Sequence, residues 1–345
     1  MSFSLATMWY ERLRFLPGIA AVAFSALLIL LQGGLLVGQF SLTSTPIDHS
    51  RADIWVGHPM DLSVDLGRPI PERWLTQVAA QPEVVRTETY VIRFAVVDQP
   101  NGHSELCTIV GSSLDDEALG AVRELTPELR RRLSEPGAVV ADESELGRIG
   151  FQNVGDEAEV WEQRIRLVGV VRGLRSLATP YLFCSLETAR SLVYGVKRGE
   201  TIFLLARCRH PGDAPAVARH LRRNHNLSAL TREELARRTR VHWMTTTKAG
   251  LSTAWSTVLG LLVGLVVTCQ TLYAVTASSW REYAVLEALG IPTSRMVCIV
   301  LAQSFWAGAG LLLALPAAFA IAYGVNQFGS GCSYRGGWSP SPGRW

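Results

Sequence analysis

The chain has 345 residues, enough for two or three domains, with a net charge of +3 and only 18% charged residues. A mean hydropathy of +0.18 is too apolar for a wholly soluble chain and too polar for a wholly membrane-embedded one, so the charge must be unevenly distributed. The arginines are scattered, which excludes the clustered basic face of a nucleic-acid binder.

Residues 1–14 carry Tyr10-Glu-Arg-Leu-Arg14, a short helix whose basic residues precede the first apolar run. No charge occurs from Phe15 to Ile47, and Leu16–Val37 is long enough to cross a hydrocarbon core of about 30 Å. The apolar stretch exceeds that of a signal peptide, and no small-x-small cleavage site follows promptly, so residues 15–40 are read as an uncleaved span. Gly33, Gly34 and Gly38 lie near one side of it, as close helix packing requires. Arg12 and Arg14 place the N-terminus in the cytoplasm.

Residues 41–248 hold most of the charge and form a large domain outside the cytoplasmic membrane. Strands are expected at Ala52–Val56, Thr87–Val97, Thr108–Val110, Ala138–Ala141 and Ile202–Ala206, and a hairpin at Glu159–Trp161 with Ile165–Val171. Helices are expected at Pro71–Gln81, Thr126–Leu133, Glu143–Gly147, Leu186–Leu192 and Asp213–Leu221. The elements interleave without regular parallel βαβ units, so the domain is α+β rather than a Rossmann sheet.

Residues 249–279 are uncharged and form a second span, with Gly260 and Gly264 making a small-xxx-small face. The arginines before it (Arg232, Arg237, Arg238, Arg240) do not overturn the topology, because long translocated domains are exempt from the charge rule. Residues 280–295 hold Arg281, Glu282, Glu287 and Arg295, the only charges between Lys248 and Arg335. Arg281–Leu289 reads as a short amphipathic helix with Tyr283, Leu286 and Leu289 recurring on one face, ended by Gly290 and Pro292. It suits docking to a cytosolic partner; an ordinary solvated loop is the alternative. A third span is expected at 296–325, with Pro316 kinking it, and residues 326–345 form a Gly/Ser/Pro/Arg-rich tail that cannot pack.

Trp280-Arg-Glu-Tyr-Ala-Val-Leu-Glu-Ala-Leu-Gly-Ile-Pro-Thr-Ser-Arg295 resembles the cytoplasmic loop of FtsX/MacB-type ABC transporter permeases. Gly137-Ala-Val-Val-Ala-Asp-Glu-Ser-Glu-Leu-Gly147, Val154-Gly-Asp156, Ile165-Arg-Leu-Val-Gly-Val-Val171, Pro180-Tyr-Leu-Phe183 and Ala189 are similar to the periplasmic region of the same permeases. Ala52-Asp-Ile-Trp-Val56 is similar to the DevC subgroup in particular. The resemblance implies a multi-pass protein of the bacterial inner membrane: an α-helical transmembrane bundle with a large α+β domain between spans 1 and 2. It implies an ABC ATPase as a separate subunit contacting Arg281, Glu282, Tyr283, Leu286, Glu287, Leu289, Gly290 and Arg295, and a homodimer of permeases embedded in lipid. In the DevC-like subgroup it also implies a periplasmic adaptor and an outer-membrane channel. The family has four spans where three are read here. A frameshift or truncated reading frame, leaving an inactive permease, is the preferred expectation for the tail, and a genuine three-span variant is the alternative.

No catalytic, cofactor or metal site is expected. Asp48-His49-Ser50 has the residue types of a triad, but sequence neighbours do not converge as nucleophile, base and orienter do. Asp115-Asp116-Glu117 is read as the cap of a helix beginning at Ala118. His220 and His225 lack a nearby carboxylate and are read as solvated. No Gly-x-x-x-x-Gly-Lys-Ser/Thr occurs, so ATP is not held by a P-loop in this chain. The six cysteines (Cys107, Cys184, Cys208, Cys269, Cys298, Cys332) form no CxxC pair and are read as buried small hydrophobes. A membrane-anchored sensor or binding protein would need a cytoplasmic signalling domain, and no cytoplasmic segment is long enough. A tethered hydrolase would need a convergent nucleophile and base within residues 48–248, and none can be named.

Overall fold

The computed structural model describes residues 12–99, 102–223, 227–278, 280–290, 292, 294, 312 and 314–321. Contacts divide the chain into Gln39–Gly250 and a second unit of Met1–Gly38 with Leu251–Trp345.

The chain enters through α1 (Arg12–Ser41) and a short turn of helix, α2 (Thr45–Asp48). Then follow β1 (Ile54–Gly57), β2 (Ile70–Pro71), α3 (Leu75–Ala79), β3 (Val84–Asp98), β4 (Ser104–Ser112), α4 (Pro127–Leu133), β5 (Ala138–Asp142) and α5 (Leu146–Ile149). The domain continues with β6 (Glu157–Val160), β7 (Gln163–Val171), β8 (Tyr181–Ser185), α6 (Leu186–Leu192), β9 (Glu200–Thr201), β10 (Phe203–Cys208), α7 (Ala214–Leu221), β11 (Ser228–Thr231) and α8 (Arg232–Thr246). Beyond it lie α9 (Lys248–Ser278) and α10 (Trp280–Ala288).

The main sheet has nine strands in the order β11-β1-β10-β3-β4-β8-β5-β7-β6, and β6 also pairs with β3. That last pairing closes β3-β4-β8-β5-β7-β6 into a barrel, which removes its open edges. Strand β3 is long enough, at fifteen residues, to serve two neighbours in turn. Val84–Tyr90 pair with β10, Val91–Asp98 pair with β4, and Val97 and Asp98 also meet β6. Pairings β4–β8 and β5–β7 are parallel and the others antiparallel, as an α+β domain allows.

Period-two side-chain alternation sorts the core into two layers. Trp55, Tyr90, Phe203 and Leu205 join the larger cluster that fills the barrel and continues beneath β1 and β10. Ile54, Val56, Leu204 and Ala206 face the opposite way, under α7 and beside Val78 of α3. Trp55 meets Tyr90 and Phe203 edge-on, with ring centroids at 5.1 and 5.6 Å, a geometry that the aromatic quadrupole favours.

Several expectations are corrected. The helix expected at Pro71–Gln81 is a β-residue pair, a 3-10 turn and the five-residue α3, because Pro71 sits in an extended pairing with Glu200. The strand expected at Thr108–Val110 spans Ser104–Ser112. Trp161 belongs to the turn between β6 and β7, where it and Glu162 both adopt positive φ. No helix starts at Ala118: Asp115 instead accepts from the Glu117 amide and Ser113 hydroxyl and pairs with Arg86 at 2.5 Å. Strands β8 and β11 and helix α8 were not among the expected elements.

The loop carrying Asp115 is held from β3. Buried Glu88 accepts from the amides of Leu119 (2.8 Å) and Gly120 (3.5 Å) and from the Arg86 Nε (2.8 Å). Replacing Glu88 with Ala leaves those donors unsatisfied next to the Trp55–Tyr90 contact. Glu88→Ala is expected to cost about 2–3 kcal/mol, and Glu88→Gln less, in thermal denaturation of the full chain.

Candidate functional site

The chain leaves α1 and re-enters α9 through two adjoining segments of the domain, which polar side chains tie together. Helix α8 starts with a capping box in which the Glu234 amide donates to Thr231 Oγ1 (3.2 Å) and the Thr231 amide to Glu234 Oε2 (3.1 Å). Its fifteen residues extend roughly 22 Å at about 1.5 Å per residue, and Thr247 ends it in extended conformation just before α9. Along that length Arg240 donates from Nε to Ser44 Oγ (2.8 Å) and from Nη2 to Asp48 Oδ2 (2.6 Å). The Val64 amide donates to Thr239 Oγ1 (3.2 Å), and Trp243 Nε1 donates to Ser63 Oγ (3.1 Å) and Asp65 Oδ2 (3.3 Å). The segment just after the first apolar helix is thus bonded to the helix just before the second. We refer to these contacts as the root clamp.

Asp65 lies at its centre. Burial drives its carboxyl up to about 7, against the hydrogen bonds from Trp243 and Ser63, and Oδ1 has no hydrogen-bond partner among the described residues. The adjacent cavity, lined by Thr43, Phe94, Tyr181 and Trp243, is about 10 Å³, too small for any ligand larger than water.

Of the triad-like residues, Asp48 accepts from Ser44 and Arg240, His49 Nδ1 faces Glu124 Oε1 at 2.5 Å, and the Ser50 hydroxyl donates to the Ile47 carbonyl. Different partners separate them. His220 is exposed on α7, and His225 lies outside the described residues. Among the described residues no cluster of His, Cys, Asp or Glu could hold a metal ion. Cys107, Cys184 and Cys208 are buried, whereas Cys269 is exposed on the apolar helix α9, which corrects the expectation for that residue. Cys298 and Cys332 lie outside the described residues.

Two described helices, Ala20–Asp48 and Gly250–Thr271, are long and apolar enough to cross a membrane. A soluble core helix would bury its large side chains, but Phe24, Leu259, Leu261 and Leu265 are more than half exposed. Most of the third expected span, 296–325, lies outside the described residues; 314–321 are helical. Within this unit a Cβ on Gly264 would meet Ile29 at 3.0 Å and the Ser25 carbonyl at 3.4 Å, and one on Gly260 would meet Gln32 at 3.2 Å. A Cβ on Gly33, Gly34 or Gly38 would meet no described atom within 4 Å. Close approach of α1 and α9 therefore rests on the glycines of α9.

Helix α10 contains the charged segment. Gly290 adopts φ +82°, a left-handed stop that a side chain would strain, and the Leu289 amide still donates to the Val285 carbonyl (3.1 Å). Arg281, Val285 and Leu289 share one face at four-residue spacing and are exposed. The side chains of Glu282, Tyr283, Leu286, Glu287 and Arg295 lie outside the described residues. Val285 is an addition to the expected apolar face.

No protein-family model matches the chain, and no curated protein matches it either. Among solved structures it is similar to the periplasmic region of MacB from Actinobacillus actinomycetemcomitans, at 12% identity and a TM-score of 0.37 over 55% of this chain and 94% of that one. It is also similar to the extracellular domain of the noncanonic ABC-type transporter YknZ from Gram-positive bacteria, at 11% identity and a TM-score of 0.35, over 52% and 98% of the two chains. A domain assigned to a permease protein from Porphyromonas gingivalis matches at 14% identity and a TM-score of 0.32, over 53% and 90%.

Two outcomes follow from the geometry. Gly264→Leu is expected to lower the melting temperature of the full chain in detergent, at a cost of about 1–3 kcal/mol, and Gly34→Leu to leave it unchanged. Asp65 holds its proton in the folded state up to about pH 7 but loses it near 3.8 when unfolded, so its contribution to stability falls as pH rises between those values. Asp61, raised to about 6 chiefly by burial, acts in the same direction. Compared at pH 5 and pH 8, Asp65→Asn is expected to lose less stability than the parent chain, by up to about 3 kcal/mol.

Proposed function

We propose that this chain is the transmembrane subunit of an FtsX/MacB-like ABC export or mechanotransmission complex, driven by a separate ATPase. The observation that carries this reading is the root clamp, which within the large mixed domain joins the segment that follows one membrane-length helix to the helix that precedes the next. The resemblance of Trp280–Arg295 to the permease loop supplies the partner.

Two crossings of the bilayer, by α1 and α9, return the chain to the side from which it started. The N-terminus and α10 then share the cytoplasm, with the domain outside the inner membrane. Closure of two nucleotide-bound ATPase subunits pushes on α10 in each permease of a homodimer. Arg281, Glu282 and Glu287 make polar contacts with the ATPase, and Leu286 and Leu289 fill its groove in the manner of helix-in-groove recognition. The push passes along α9 to α8, and through Arg240 and Trp243 to the domain. Movement of that domain does the work of export, without a lipid-phase channel for substrate. In a DevC-like arrangement a periplasmic adaptor and an outer-membrane channel complete the path.

The test is purification of the full chain from its native cells in mild detergent, with ATPase activity measured on the eluate. A stoichiometric P-loop subunit is expected, and the Glu282→Lys/Glu287→Lys double variant is expected to lose it while remaining in the membrane. A preparation free of ATPase, or one unchanged by the double reversal, would overturn the proposal.

A further inference from the structure

One end of the β11-β1-β10 strip gathers arginines in a way that strand register alone enforces. Ile54 of β1 pairs with Thr231 of β11 on one side and Ala206 of β10 on the other. One residue beyond each strand pairing, Asp53 therefore stands between Arg232 and Arg207. The backbone bonds extend the row: the Arg232 amide donates to the Asp53 carbonyl (3.0 Å), and the Cys208 amide to Asp53 Oδ2 (2.9 Å). The loop across this end is fixed as well, since the Arg51 amide donates to the Leu119 carbonyl (2.8 Å) and the Arg123 amide to the His49 carbonyl (3.3 Å).

These elements border an open pocket of about 410 Å³ lined by Arg51, Arg123, Arg207, Arg209 and Arg232, with Asp53 as the only acidic residue among the described lining. Arg207 and Arg232 have carboxylate partners in Glu117 (3.2 Å) and Glu233 (3.6 Å). Among the described residues the Arg51 and Arg123 side chains donate only to the backbone carbonyls of Asp116 and Ser50. Among the described residues no carboxylate lies within ion-pair distance of Arg51, Arg123 or Arg209. Asp53 spends Oδ2 on the Cys208 amide. The Cys208 thiol, also in the lining, is pushed up to about 11, mainly by burial and further by Asp53, Asp213 and Glu83. It therefore stays neutral and adds no negative charge to the lining.

With Arg207 and Arg232 paired to Glu117 and Glu233, the guanidinium groups of Arg51, Arg123 and Arg209 stand against the single carboxylate of Asp53 and leave the pocket cationic. An anion would neutralise the unpaired charges, and the planar fork of arginine matches phosphate oxygens in pairs. The volume falls within the range of small-molecule sites. We infer that this cavity binds a phosphate-bearing ligand with two or more negative charges, supplied either as a soluble phosphate ester or as a lipid headgroup. Neither the α10 reading nor the root clamp enters this inference.

The test is calorimetric titration of the detergent-solubilised full chain with two probes: pyrophosphate, and soluble short-chain phosphatidic acid. Saturable binding that weakens with added salt is expected for at least one of them. Arg123→Gln/Arg209→Gln should weaken it tenfold or more. Arg198→Gln/Arg223→Gln removes the same charge from exposed positions outside the cavity and should leave it within twofold. Arg209→Gln alone, at a side chain with no described partner, provides a variant whose folding is not at issue and should weaken binding at least threefold. Binding of pyrophosphate alone assigns a soluble ligand; binding of the lipid probe alone assigns a headgroup. Binding of neither, or equal loss in both double variants, overturns the inference.

Discussion

Strand β3 belongs to two structures at once, and the rest of the domain follows from that. Its first half, Val84–Tyr90, completes the strip of β10, β1 and β11, and its second half, Val91–Asp98, closes the barrel against β4 and β6. A strand with a single set of partners could slip by one register step only by exchanging its faces. Here a slip would also break the barrel closure and turn Tyr90 away from Trp55. Glu88 lies in the part of β3 that serves the strip, and its bonds to Leu119 and Gly120 draw in the loop that carries Asp115. The barrel core, the strip and that loop are one cooperative arrangement because they share one strand.

The root clamp is built on a different scale. Arg240 and Asp48 are partly exposed, and such a pair contributes about 0–1 kcal/mol, whereas burying a single core side chain of Leu or Phe size contributes about 1.5–3 kcal/mol. The Arg240–Asp48 contact can therefore exchange at small cost, whereas the contacts of Thr239 and Trp243 to Val64, Ser63 and Asp65 are buried or half-buried and cost more to break. Asp65 makes the balance more delicate still. Burial favours its neutral form, whereas the hydrogen bonds it accepts from Trp243 and Ser63 favour the ionised one, so the two effects oppose each other at this carboxyl.

What the residues disclosed in advance followed the range of the interactions involved. Strands such as Ala138–Asp142 and Gln163–Val171 carry their own alternation and β-branched residues, and the helix at Leu186–Leu192 carries its own cap at Ser185. Such local signals could be read. Helix α8 was missed because Arg232-Glu-Glu-Leu-Ala-Arg-Arg-Thr-Arg240 is polar nearly all round, and only Leu235, Ala236 and Thr239 are buried. Its capping box, Thr231 with Glu234, was the one local signal available. The trap at Ala118 was of the opposite kind: an acidic run looks like a helix start, but Asp115 is used by Arg86, which approaches from a strand far away in sequence. The clamp and the arginine-lined cavity join residues such as Ser44 with Arg240 and Asp53 with Cys208, which no spacing rule connects. Only the register of β1 between β10 and β11 brings the second set together.

That register also explains why the two polar sites differ in character although both use arginine. At the clamp, Arg240 meets Asp48 directly, and charge is balanced within the chain. At the strip end, Asp53 faces two arginine-bearing neighbours but one of its oxygens is held by the Cys208 amide, so it fixes the backbone without neutralising the row. Arg51 and Arg123 arrive from a loop anchored by backbone bonds, with no acidic residue among the described ones paired to either. Exposed charges without an internal partner gain little from the fold itself and stay available to an external one. In structural terms, the clamp is a joint completed by this chain, and the strip end is a surface that an anion would complete.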